Sequence, residues 1–147
     1  MREILFRGKR VDNGGWMKGY YVKAKDYLSG EDIHIIFGLD VTSYPRCEFS
    51  SYEVVIPETV GQSTGLSDKN GNPIWEGDIV REAYGNYYPG LEQLIVEMDD
   101  GRCGWFPFAC GDGCGCCEDE TWDRYMCEVI GNIHDNPELL KECKNDD

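Results

Sequence analysis

Basic residues are scarce in this chain of 147 residues. Lysine and arginine together number 14 against 28 aspartates and glutamates, which leaves a formal net charge of −14 at pH 7. This balance disfavours long-range attraction to phosphate backbones and to anionic membrane surfaces. We therefore expect neither nucleic acid nor a membrane as the main partner, and a basic surface on another protein fits the charge better.

Long apolar runs and phosphate-binding glycine loops are also missing. No segment approaches the ~18 apolar residues of a membrane span, and the N-terminal "MREILFRGKRVDNGG" surrounds a very short apolar core with charges, unlike a signal peptide. No Gly-x4-Gly-Lys-[Ser/Thr] stretch occurs, so nucleotide hydrolysis is not expected. We predict a cytoplasmic protein whose cysteines are reduced.

Histidine occurs only twice, at His34 and His134. His34 alternates within a strand-like segment, which predicts a half-buried core side chain. His134 precedes the last predicted helix, and we expect it to order that loop through hydrogen bonds. Carboxylates are so frequent that no acid–base pair stands out, and the sequence therefore predicts a protein that is not an enzyme, with no catalytic residues.

Turn residues recur at short intervals, and β-branched and aromatic residues fill the segments between them, as is typical of an antiparallel β protein. The segments "EILFRGKRV" and "WMKGYYVKA" flank Asp12-Asn13-Gly14-Gly15, which favours a tight hairpin turn. "DIHIIFGL" predicts a third strand buried on both faces, and "EFSSYEVVI" predicts a fourth that ends at Pro57. "LEQLIVEMDDGRCGWFPF" predicts another hairpin and "MCEVIGNI" a last strand.

The stretch "GLSDKNGNPIWEGDIV", residues 65–80, could either hold a ligand or turn a corner in a sheet. Residues 69–73 and 76–78 have the composition of two turns. Asp68 and the two asparagines that follow it at alternate positions resemble the start of a calcium loop, but the glycine comes too early for that motif. We therefore predict turns and no calcium.

The fold class is predicted to be mainly β, a β-rich α+β protein with antiparallel sheets. Small polar residues and glycines near residue 60 suggest an N-terminal β lobe over 1–60 and a second lobe over 61–147, with one continuous domain as the alternative. An SH3-like small barrel is expected in the second lobe. The order of features there resembles the start of such a barrel: "EGDIV" comes first, then a hairpin with an acidic turn, then a closing strand. Asn136 and Pro137 are placed to begin a short C-terminal helix.

Three blocks of the sequence carry a family resemblance. The opening "REILFRGKR", the central "GQSTGLSDKNGNPIWEGDIV" and the closing "EVIGNIHDNPELL" occur in this order and span nearly the whole chain. They resemble the YopX family of bacteriophage and prophage proteins. The resemblance implies a small, mainly β, phage-encoded protein made inside the bacterial host, and it implies no catalytic or binding residues.

A cysteine-rich segment offers a candidate metal site. Cys110, Cys114, Cys116 and Cys117 fall close together, and four thiolates within such reach can surround zinc. The paired spacing of a structural zinc site is only half present, because Cys116 and Cys117 are adjacent. A reduced surface loop without metal is the preferred interpretation, so no cofactor is expected, and zinc and a disulfide are the alternatives.

The segment "YGNYYPGL" brings Tyr84, Tyr87 and Tyr88 into a turn-rich region. Exposed tyrosines provide contact area at little entropy cost, so these three are the candidate partner-binding residues, although rings that cover the barrel edge are the preferred interpretation. We expect a phage accessory protein that binds a host or phage protein through an acidic surface and this loop. A zinc-binding module or metal-dependent enzyme is the alternative function, and a homo-oligomer is left open.

Overall fold

The computed structural model describes residues 3–38, 41–43, 48–49, 51–82, 93–101, 104–108 and 127–140. The chain divides into two compact units, Met1–Ser63 and Thr64–Asp147, called here the first unit and the second unit. Both consist mainly of antiparallel strands, as predicted. Within the described ranges, no helix has the length and apolar character needed to cross a membrane.

The first unit contains a large antiparallel sheet and a short pair of strands. Its strands are β1 (Phe6–Lys9), β2 (Trp16–Lys25), β3 (Asp32–Phe37), β4 (Val41–Ser43), β5 (Glu48–Phe49), β6 (Tyr52–Val54) and the beginning of β7 (Gly61–Ser67). The order across the large sheet begins β6-β3-β2-β1-β7, and β4 and β5 pair with each other. A 3-10 helix, Pro57–Thr59, separates β6 from β7, so the fourth predicted segment ends at Pro57 as expected.

The predicted first hairpin is confirmed, and its turn has a local cause. β1 and β2 pair with Lys9 opposite Trp16. Gly14 has φ +70°, in the region that glycine adopts without steric cost, and the Asn13 side chain accepts a 2.8 Å hydrogen bond from the Gly15 N–H. The reversal is therefore encoded within the turn itself.

The third strand was predicted to be buried on both faces, and this prediction is wrong, because only one face is fully buried. Ile36 is fully buried, together with Val55 from the end of the neighbouring strand. Ile33, Ile35 and Phe37 alternate to the other face, where they are only half-buried. The physical reason is that an antiparallel sheet needs only one face packed against a core.

In the described ranges, the second unit contains a three-stranded sheet, a two-stranded sheet and a strand that pairs with β7. Its strands are the rest of β7, then β8 (Pro73–Trp75), β9 (Asp78–Glu82), β10 (Gln93–Ile95), β11 (Glu97–Asp99), β12 (Gly104–Phe106) and β13 (Cys127–Asn132). β9 lies between β10 and β13, β11 pairs with β12, and β8 lies beside β7. The predicted hairpin and last strand are present. The described strands form no closed barrel, so the SH3-like barrel is not confirmed.

An apolar cluster forms the core of the second unit. Ile74, Val80, Val96, Trp105 and Cys127 are buried in it, with partly buried neighbours packed around them. Val96 also interrupts the first strand of the hairpin that "LEQLIVEMDDGRCGWFPF" predicted. Its N–H donates to the Asp78 carbonyl and its carbonyl accepts from the Gly77 N–H, both at 2.8 Å, so β10 ends before it and β11 begins after it.

The predicted C-terminal helix is not confirmed. The described residues form a single 3-10 turn, Pro137–Leu140. Asn136, expected to cap an α-helix, accepts with its side-chain oxygen from the Asn132 N–H in β13 at 3.3 Å, while its carbonyl accepts from the Leu139 N–H. The side chain is thus directed back to the strand, and the i to i+3 bond of its carbonyl gives the tighter helical turn.

Candidate functional site

The residues predicted as sites fall outside the described ranges. These are the candidate zinc ligands Cys110, Cys114, Cys116 and Cys117 and the candidate contact residues Tyr84, Tyr87 and Tyr88. In the part of the chain that the structure describes, no group of three or more His, Cys, Asp or Glu residues is placed to hold a metal ion. Both predictions remain predictions.

Metal content gives a direct check of the zinc hypothesis. We expect protein purified without chelator to contain well below one zinc ion per chain, because the preferred interpretation is a reduced loop. Structural zinc sites bind strongly enough for elemental analysis to detect them after purification. A stoichiometric ion that disappears when Cys110 and Cys114 are both changed to serine would contradict this expectation and favour the zinc-binding alternative.

The turn after β7 is organised by a buried carboxylate, Asp68, which is only 4% exposed. Its Oδ1 accepts from the N–H groups of Asn70 and Asn72, both at 2.9 Å. Its Oδ2 accepts from the Val129 N–H of β13 at 3.0 Å. Since both oxygens accept bonds from N–H groups of the chain itself, the stretch turns a corner as predicted, and Asp68 holds that corner to the last strand.

The same hydrogen bonds keep the Asp68 side chain ionised. Burial by itself would raise the pKa of this carboxyl, but hydrogen bonds from the N–H groups of Val129, Asn72 and Asn70 outweigh burial and hold the pKa below its usual value of 3.8. A carboxylate with a lowered pKa remains ionised at neutral pH and is a poor general base. We interpret Asp68 as a structural anion.

The second turn of the stretch 65–80, at residues 76–78, is also organised by a buried carboxylate. Asp78 is 2% exposed, and its Oδ2 accepts from the Trp75 N–H at 2.8 Å. Gly77, with φ +84°, precedes it in a conformation that side chains rarely adopt, and its carbonyl accepts from the Ile133 N–H at 2.9 Å. The motif therefore closes a turn and ties it to the segment after β13.

Both histidines make hydrogen bonds within the first or second unit. His34 is half-buried in β3, where its Nδ1 lies 2.6 Å from the Tyr21 hydroxyl and its ring stacks on the tyrosine ring. The His134 N–H donates to the Asn132 side chain at 3.0 Å in the turn after β13. These positions agree with the core and loop-ordering roles that the sequence predicts.

A half-exposed apolar surface lies on one face of the first unit's sheet. Opposed residues form two rows across β2, β3 and β6. The aromatic row is Tyr20, Phe37 and Tyr52, and the aliphatic row is Val22, Ile35 and Val54. We call these six residues the apolar face. The four residues on its outer strands are exposed, with fractions from 40% for Tyr20 to 64% for Tyr52.

Local contacts hold the aromatic row in place. The Phe37 and Tyr52 rings pack at 5.9 Å between centroids. The Tyr20 hydroxyl donates to the Glu3 carboxylate at 2.6 Å, and this hydrogen bond, together with burial, raises the pKa of Tyr20 above its usual value. The aromatic side chains therefore present an ordered surface, as a preformed binding site requires.

The hairpin between β2 and β3 exposes two more large side chains. Tyr27 is 98% exposed and Leu28 is 92% exposed. Asp26 fixes the turn that carries them, because its Oδ1 accepts from the N–H groups of Leu28 at 2.7 Å and Ser29 at 3.2 Å. We call Tyr27 and Leu28 the hairpin tip. A tyrosine and a leucine that cover nothing in their own unit are available for contact with another molecule.

Charge is divided unequally between the two units. Residues 1–63 contain eight basic and nine acidic residues, whereas residues 64–147 contain six basic and nineteen acidic residues. The first unit is therefore close to neutral, and the second carries nearly all of the net negative charge. An apolar contact fits the first unit, and a basic partner fits the second.

The hairpin tip and the apolar face were not predicted from the sequence. The turn residues of "KDYLSGED" were visible around Tyr27 and Leu28, and two large apolar residues between them are the signal that could have found the tip. Ile33, Ile35 and Phe37 alternate with His34 and Ile36 in the sequence, but alternation alone does not tell which face of a sheet is covered. The face became visible only from the strand register.

Comparisons with known proteins agree with the resemblance of the three sequence blocks. The profile of the family described as YopX protein matches residues 5–141. The crystal structure of protein EF1440 from Enterococcus faecalis is similar, with 29% sequence identity and a TM-score of 0.57, over 95% of this chain and 99% of that chain. No curated protein is a significant match to this chain. Because the profile covers nearly the whole sequence, the chain belongs to the YopX protein family.

Proposed function

We propose that this chain is a non-enzymatic accessory protein of a phage or prophage, which binds a host or phage protein in the bacterial cytoplasm. The hairpin tip is the observation that carries the proposal. Tyr27 and Leu28 are almost fully exposed on a turn that Asp26 holds in one conformation. Full burial of one such side chain by a partner would contribute about 1.5–3 kcal/mol.

The turn geometry makes the tip suitable for insertion into a pocket. The Gly30 N–H donates to the Asp26 carbonyl and the Asp26 N–H donates to the Glu31 carbonyl, both at 2.8 Å, so both sides of the turn are closed. A loop that is ordered before binding loses less conformational entropy in the complex. The partner is therefore a protein with an apolar pocket that accepts an aromatic and an aliphatic side chain.

The negative charge of the second unit indicates that the partner also has a basic surface. Nineteen acidic residues against six basic ones favour a basic surface, and long-range attraction of this kind speeds association and weakens as salt screens it. Support for a non-enzymatic role comes from Asp68 and Asp78, whose carboxylates accept backbone N–H groups, and from the turn and strand positions of the two histidines.

Removing the apolar groups of the tip tests the proposal. We expect Tyr27→Ser/Leu28→Ser to weaken partner binding by roughly 10- to 100-fold, because exposed anchors of this kind dominate binding energy. The free energy of unfolding should change by less than about 0.5 kcal/mol, since neither side chain packs in its own unit. Affinity capture from host lysate at physiological salt, followed by titration of the captured protein, gives both the partner and its affinity.

Val11→Ser is the matched control. Val11 is an exposed apolar residue, 61% accessible, in the turn of the first hairpin. This variant should capture the same partner with unchanged affinity. Equal binding by the wild-type chain and the tip variant would contradict the proposed role of the tip, and the absence of any specific partner would contradict the proposed function.

A further inference from the structure

We propose that the apolar face is the interface of a two-fold symmetric homodimer. This inference is independent of the hairpin tip and of the partner proposed above. It depends on the order of polar and apolar side chains along one face of β2 and β3. The two ends of that face carry opposite charges. A surface of this kind is complementary to a second copy of itself turned end to end.

The basic end comes first. Lys18 lies two residues before Tyr20 on the same face of β2, and it is opposite Arg7 of β1 in the strand register. Lys9 and Arg7 both approach the Trp16 ring on this face, at 5.6 Å and 4.7 Å from the ring centroid. Arg7 is buried, so the exposed Lys18 is the cation of this end, where the Glu3 carboxylate also lies, on the Tyr20 hydroxyl.

The acidic end lies beyond the aliphatic row. Ala24 and Ile33 form a third pair on this face, and they are followed by Asp26 and Glu31 at the base of the turn. Along β2 the face thus passes from a cation through large aromatic, branched aliphatic and small side chains to two carboxylates. Asp26 follows Lys18 by eight positions, which corresponds to about 26 Å along an extended strand.

Symmetry then matches each part of the face with a complementary part. When two sheets pack face to face about an axis that lies between them and across the strands, each strand lies over its own copy in the reverse direction. If the axis passes at the aliphatic row, Val22 meets its own copy and Tyr20 meets Ala24. The Tyr20 ring then lies over a small side chain, and Phe37 lies over Ile33. Lys18 of each copy approaches Glu31 and Asp26 of the other.

The distribution of net charge favours this surface over others for self-association. Two copies of a chain with a net charge of −14 repel each other, and an interface is least opposed where local charge is smallest. The first unit has eight basic and nine acidic residues, and the six residues of the apolar face carry no charge. A second copy can therefore bury its apolar face here at low electrostatic cost.

A variant at the symmetry axis tests the interface. The dimer dissociation constant of the full chain is measured by sedimentation equilibrium over a concentration series. Val22→Glu should raise this constant on the order of 100-fold, because the axis places two new carboxylates against each other. Lys23→Glu is the matched control on the opposite face of the same strand, where Lys23 pairs with Asp32 at 2.9 Å, and it should leave the constant unchanged.

Exchange of charges tests the end-to-end arrangement. Lys18→Glu and Glu31→Lys should each raise the dissociation constant about tenfold, and the double variant should restore it, since the opposed ends regain opposite signs. Far-UV circular dichroism and thermal unfolding verify that each variant folds. A wild-type chain that is monomeric at all concentrations, or a dimer that Val22→Glu leaves intact, overturns the proposal. Failure of the double variant to restore the dimer overturns the end-to-end arrangement.

Discussion

Asp68→Ala is expected to destabilise the second unit by about 3–4 kcal/mol, because three backbone N–H groups would lose their acceptor. These groups belong to Asn70, Asn72 and Val129, and the Asn72 side-chain amide also approaches the carboxylate at 3.4 Å. Urea denaturation followed by tryptophan fluorescence measures the change. Hydrogen exchange at the Val129 amide, which should become much faster, locates it.

Two further variants test whether the Asp68 carboxylate contributes more to stability than an aspartate in an exposed turn does. Asp68→Asn preserves the shape but turns an amide N–H₂ toward other donors, so it should recover only part of the loss. Asp12→Ala removes an exposed turn aspartate whose partner is Arg10 at 2.7 Å, and we expect a cost below about 1 kcal/mol. Equal stability of Asp68→Ala and Asp12→Ala would show that Asp68 does not organise the second unit.

The lowered pKa of Asp68 also fixes how this contribution depends on pH. Because the pKa in the folded chain lies below the usual value of 3.8, the stabilisation is fully present above that value and is lost as pH falls through the folded pKa. The difference in unfolding free energy between the wild-type chain and Asp68→Ala should therefore be constant near neutral pH and shrink below pH 3.8.

Gly19→Ala is expected to destabilise the first unit by at least about 3 kcal/mol, because an added Cβ has no room. It would lie 1.7 Å from the Phe37 carbonyl oxygen and 2.8 Å from the Phe37 carbonyl carbon. Tyr20 pairs with Phe37 in the ladder between β2 and β3, so the overlap can be relieved only by separating two central strands. Urea denaturation followed by Trp16 fluorescence is the appropriate measurement.

Gly14→Ala distinguishes steric exclusion from the loss of a glycine in general. Gly14 has φ +70° and nothing within 4 Å of an added Cβ, so this variant should cost only about 1 kcal/mol from the left-handed backbone. If Gly19→Ala were no more costly than Gly14→Ala, the close approach of β2 and β3 at Phe37 would be ruled out.

The sequence by itself determined most of the strands and turns. The turn at Asn13-Gly14, the corner at residues 69–73, the alternation in β3 and the presence of β13 depend on neighbours in the chain, and they were predicted correctly. Local chemistry is sufficient there, because glycine and asparagine tolerate positive φ and alternation places side chains on opposite faces. The family resemblance came from the same local blocks.

Tertiary structure alone decided the elements whose partners are distant in sequence. The stretch "IPETVGQSTG", residues 56–65, was predicted as a seam between lobes, but its second half belongs to strand β7, because β1 and β8 offer backbone partners to that strand. Asp68 became a structural anion through an N–H group 61 residues away. The division of the sheet into a buried and an exposed face likewise depends on register, which brings Tyr20, Phe37 and Tyr52 into one row and leaves that row accessible to a second molecule.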